Sequence, residues 1–89
     1  MINNRQEVVD DIRNRFARTP FDGIGLTVVD EEVYLEGSEW QIPVHPSVEP
    51  AKRYPFYEYL ADIEGELDHD QINVFLVPAE PLTELAANY

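Results

Sequence analysis

Apolar positions change rhythm several times along this chain. Between residues 4 and 18 they recur every three to four places, at Val8 or Val9, Ile12 and Phe16, which predicts a helix with one buried stripe. Asn3 or Asn4 can cap its first turn, Arg15 and Arg18 suit its last turn, and Pro20 stops it. Asp11 and Arg15 stand four apart and add a small further gain. After the turn at Phe21, Asp22 and Gly23 the period drops to two. Ile24, Leu26 and Val28 face one way, and beyond Asp30, Glu31 and Glu32 the alternation resumes at Val33, Tyr34 and Leu35 before Gly37. Two alternating runs around a polar turn predict a β-hairpin. Trp40, Ile42 and Val44 alternate again, but Pro43 has no amide donor, so this segment is expected to be an edge strand or a loop.

Pro43, Pro46, Pro50 and Pro55 punctuate the connection that follows, and His45 reads as an ordinary histidine of that loop. Pro55 fits the first turn of a second helix, in which Phe56, Tyr59 or Leu60, Ile63 and Leu67 hold helical spacing to about residue 68. Gly65 weakens its last turn by roughly 1 kcal/mol, so the helix is open to ending there. Residues 71–77 read as a strand with apolar side chains on both faces, which suggests a central place in the sheet. The predicted fold is α+β, a small single domain over residues 1–78. Two helices pack on one face of a three- to four-stranded, mostly antiparallel sheet. Residues 79–89 form a tail, either a loose helical turn around Leu82 and Leu85 or disordered. The expected core is Phe16, Leu26, Val28, Leu35, Leu60, Ile63, Val74 and Leu76.

Ile24, Leu26 and Val28, leading through a polar turn to Val33, Leu35 and Gly37, followed by a helix and the strand around Ile72, Val74 and Leu76, resemble the BON domain. The resemblance covers roughly residues 7–77 and implies a binding or attachment module without catalysis. Residues 38–54, with Trp40, Pro43, Pro46 and Pro50, depart from the family pattern, in which the second helix follows the hairpin closely.

Composition narrows the function. The chain has 89 residues, 44% of them hydrophobic, which excludes collagenous and compositionally disordered classes. Eighteen acids against six Lys and Arg give a net charge of −12, so neither direct binding to nucleic acid nor an anionic membrane surface is expected. The first 18 residues balance at +1, and everything after them sums to −13. Without cysteine there is no disulfide and no thiolate chemistry. No signal-like or membrane-spanning run is visible, and a cytoplasmic location is expected.

Candidate chemistry is sparse. His69 between Asp68 and Asp70, near Glu64 and Glu66, has donors for a divalent cation but no closed ligand set, so it reads as a solvated turn. No nucleophile with a positioned base and no glycine-rich phosphate loop is present, so no enzyme activity, no cofactor and no metal are expected. What remains is an aromatic and proline cluster beside a run of acids. Trp40, Tyr54, Tyr57, Glu58 and Asp62 are the candidate partner-binding residues. The expected partner is another protein, which includes a second copy of this chain in a homodimer. The alternative is an acidic mimic of a nucleic-acid backbone that blocks a basic DNA-binding protein.

Overall fold

The computed structural model describes residues 4–82. Its elements run α1 (Arg5–Arg18), β1 (Leu26–Thr27), a 3-10 turn (Asp30–Glu32), β2 (Tyr34–Glu36), β3 (Glu39–Pro46), α2 (Arg53–His69) and β4 (Val74–Pro78). Two helices and a four-stranded, mostly antiparallel sheet make the α+β domain that the order of elements predicts. The Asn4 side chain accepts from the Glu7 amide at 2.9 Å and starts α1, whose Val8, Val9, Ile12 and Phe16 enter the core. Asn3 and Leu85 lie outside the described residues.

Helix α2 begins two residues before Pro55, which therefore sits in the first turn, where a missing amide donor costs no helical bond. It also runs through Gly65, because fully buried Leu67 anchors the last turn. Gln71 takes φ 66°, while its amide bonds Asp68 O at 2.9 Å and the Ile72 amide bonds Leu67 O at 2.8 Å. This paired closure satisfies two terminal carbonyls and packs Ile72 near the helix it ends.

Strand β3 is the centre of the sheet, not the edge or loop that Pro43 suggests. It pairs antiparallel with β1 and β2 and parallel with β4. The Trp40 amide donates to Asn73 O and Val44 O accepts from the Ala79 amide, both at 3.0 Å, so the even-numbered residues bond towards β4. Odd-numbered Gln41 and His45 face the other way, opposite Tyr34 of β2 and Thr27 of β1. Pro43 falls between them, level with the 3-10 turn, where the neighbouring chain has left the sheet. Its missing donor breaks no ladder bond.

The expected hairpin is corrected in the same way. The runs around residues 24–28 and 33–35 do not pair with each other; each pairs with β3. The true hairpin joins β2 to β3 through Gly37 and Ser38, with Gly37 at φ 63°, a conformation open to glycine. Strand β2 is short and outermost, which leaves Leu35 51% exposed and out of the core, while Val33 and Val28 take the buried places. Leu26 is only partly buried. Strand β4 is also an edge, since it pairs with β3 alone among the described residues. The folded body continues past residue 78, for the Ala79 amide bonds Val44 O and Pro81 is fully buried.

Ile42, Val44, Val74 and Leu76 share one sheet face and meet both helices in a single cluster. Arg15, 8% exposed, ties the helices together at its rim through Asp11 (2.9 Å), Glu66 (3.2 Å) and Asp70 (2.6 Å). Leu60→Ala should lower unfolding free energy by about 2–5 kcal/mol, whereas Leu35→Ala should stay within about 0.5 kcal/mol. Urea denaturation of both variants checks this, and equal losses would contradict the placement of β2.

Candidate functional site

Helix α2 turns Phe56, Leu60, Ile63 and Leu67 inward. The adjacent stripe, with Tyr57, Ala61 and Glu64, then borders the outer edge of β4. A groove runs there between Tyr57, Ala61, Glu64, Phe75 and Pro78. Tyr57 and Phe75 are 43% and 46% exposed, so two large rings from different elements stand in solvent beside one apolar groove. Beyond Tyr57 and Pro78 the surface continues into a recess lined by Pro46, Pro50, Phe56 and Arg53. The prolines between β3 and α2 stiffen this wall. At the other side, Glu64 Oε2 accepts from the Leu76 amide at 2.6 Å and binds helix to strand.

The structure divides the residues that the sequence singled out. Tyr57 belongs to the groove. Tyr54, 70% exposed, stands four residues before Glu58 and eight before Asp62, so these three form the next ridge outward on α2, and all are exposed. Trp40 is elsewhere. It pairs with Val74 at the start of β4, whereas Tyr57 meets Pro78 at its end, and its half-buried ring packs against the core. Phe75 and Ala61 were missed, because an apolar residue on the second face of a strand reads as buried until the strand is known to lie at an edge. The alternation that sets Phe75 and Val77 on the face opposite Val74 and Leu76 was the available signal.

Charge is one-sided on this surface. After Arg53, α2 carries only carboxylates and His69. Arg53 stays firmly protonated beside Tyr57 and Glu49. Asp70, named above in a possible cation turn, is held by Arg15, which lowers its carboxyl below the ordinary range. Burial opposes the Arg15 charge, but Asp70, Asp11 and Glu66 more than offset it and raise its pKa.

His45 is not a loop histidine. Within β3 it is 8% exposed, with Nδ1 2.6 Å from Glu80 O and Nε2 2.5 Å from Glu32 Oε1. Both partners are acceptors, so only the doubly protonated ring donates to both. Burial lowers its pKa, yet the bonds to Glu32 and Glu80 raise it above 6.5. A raised folded pKa gives stabilisation that is complete below the unfolded value and is lost as pH rises through the folded one. The depressed Asp70 acts in the opposite sense and loses its contribution as pH falls through its folded pKa. Melting curves of wild type and His45→Gln at about pH 5.5 and about pH 8.5 should therefore differ most at the acid value. An equal gap at both would contradict the charged-ring geometry.

No protein-family model, no curated protein and no solved structure matches this chain, so its function is read from its own residues.

Proposed function

We propose that this chain is a small, non-enzymatic, cytoplasmic module that binds another protein along the groove between α2 and β4. The observation that carries the reading is the pair Tyr57 and Phe75, half exposed on separate elements and lining one groove. Aromatic rings of this kind supply large contact area at small entropic cost and are enriched among residues that dominate binding. Glu58 and Asp62 lie on the next ridge and serve as a polar rim that guides a basic partner without supplying most of the affinity. No described helix is long and apolar enough to cross a membrane. The BON-like reading shares the non-catalytic part of this proposal, although the two runs that carry the resemblance pair separately with β3.

Affinity capture from the native cell at about 0.1 M and about 1 M salt tests the reading, since screening shortens from about 10 Å to about 3 Å. A discrete partner should survive high salt on wild type and on the Glu58→Lys, Asp62→Lys protein, and be lost on Tyr57→Ala. Loss confined to the charge-reversed protein would show instead that the acidic coat is the ligand, as in a nucleic-acid mimic. Sedimentation at increasing concentration decides whether the partner is a second copy.

A further inference from the structure

We propose that the outer edge of β4 seats an extended, lysine- or arginine-bearing segment of the partner, which adds to the sheet as a further strand and takes the Leu76 amide from Glu64. This rests on the groove being the docking surface and names what docks there.

The bonds from Trp40 N to Asn73 O and from Ala79 N to Val44 O turn the odd-numbered residues of β4 towards β3. Alternation therefore turns the amide and carbonyl groups of Val74 and Leu76 outward, and among the described residues no strand pairs with them. The Leu76 amide is nevertheless occupied. A carboxylate oxygen of Glu64 sits 2.6 Å from it, where the carbonyl of an added strand would lie. The position shows that an acceptor fits this edge; Leu76 is only 2% exposed beneath it, so an added strand reaches the amide only as the Glu64 side chain swings away. Pro78 offers no donor and limits the pairing to the stretch before it.

Side-chain space agrees with a strand. Residues of an added strand alternate, one set facing the groove and the other the open sheet face. On the first side, Ala61 is a small residue between Tyr57 and Glu64, which leaves the groove its depth. On the second, the half-exposed ring of Phe75 is the contact. Main-chain bonds supply affinity and these alternate pockets supply choice.

Charge selects the occupant. A strand carbonyl that replaces Glu64 at Leu76 frees the carboxylate beside the newcomer, and α2 beyond Arg53 has no lysine or arginine to neutralise it. Glu58, Asp62 and Asp68 add to the same field. A basic side chain satisfies it. A second copy of β4 brings its own Glu64 and a further net charge of −12, which opposes self-pairing.

The test titrates the full chain, followed by amide spectra, with a capped peptide alternating valine and lysine. One control replaces lysine with glutamate, and another is N-methylated at alternate residues so that it cannot pair. The lysine peptide should move the Val74 and Leu76 amide signals and slow Leu76 exchange, while both controls should fail. In Glu64→Gln, which keeps an acceptor but no charge, preference for lysine over glutamate should fall by about two- to fivefold, as an exposed ion pair warrants. Binding that leaves those amides unmoved, equal binding of the N-methylated peptide, or no binding overturns strand addition. Sensitivity of the captured partner to Tyr57→Ala would then still stand, so the two readings fail separately. Dimerisation of Glu64→Ala through those same amides, without peptide binding, would show that Glu64 only guards the edge and would also overturn the proposal.

Discussion

The pairing of three strands to β3 is the constraint on which the sheet depends. Among the described residues, β1, β2 and β4 pair with β3 and not with one another. One eight-residue strand therefore sets the register of all the others. Its internal proline, Pro43, shapes the neighbouring chain. Where β3 has no donor to offer on that side, the chain leaves the sheet as the 3-10 turn and returns, so its partner strand exists as two short pieces. The even-numbered side chains of β3 then supply Ile42 and Val44, both fully buried, to a core that lies on one face only.

A one-sided core in so short a chain leaves its ends in need of ties, because a domain this size buries only about 60–65% of its unfolded surface. Polar bonds provide them. Arg15 joins α1 to the C-terminal turn of α2 through carboxylates, and Arg13 joins α1 to the 3-10 turn through Val28 O at 2.7 Å and Asp30 at 2.8 Å. His45 holds the same turn and the segment after β4 against the central strand. Among the described residues no buried side-chain nitrogen or oxygen lacks a partner. Arg15 and His45 are the buried members, so removing their carboxylate partners leaves a desolvated group short of bonds, and those ties matter more than their net contribution suggests.

The surface proposed for binding follows from where β4 ends up. Val74, Phe75, Leu76 and Val77 form the most apolar run of the chain, yet it lies at an edge. Helix α2 covers one side, Pro78 removes a donor and Glu64 occupies another. These features blunt the edge against indiscriminate pairing, and the same features leave a shaped apolar groove with two exposed rings and Glu64 at one side.

Both helices, the α+β class and the buried stripes were legible in the sequence, because helical spacing and caps are local properties and Asn4, Ile12, Leu60 and Ile63 obey them. Tyr57 was legible as an exposed ring for the same reason, since it falls off the apolar stripe of α2. The neighbours of each strand were not legible. A period of two shows which residues share a face but not which strand lies alongside, so Pro43 suggested an edge, the apolar β4 suggested a centre, and Leu35 suggested core. Tertiary structure reversed all three, because pairing is decided by backbone bonds between residues far apart in the chain. It also decided that Phe75 and Glu64 border one groove with Tyr57 while Trp40 does not, and that His45, distant in sequence from both Glu32 and Glu80, is enclosed between them.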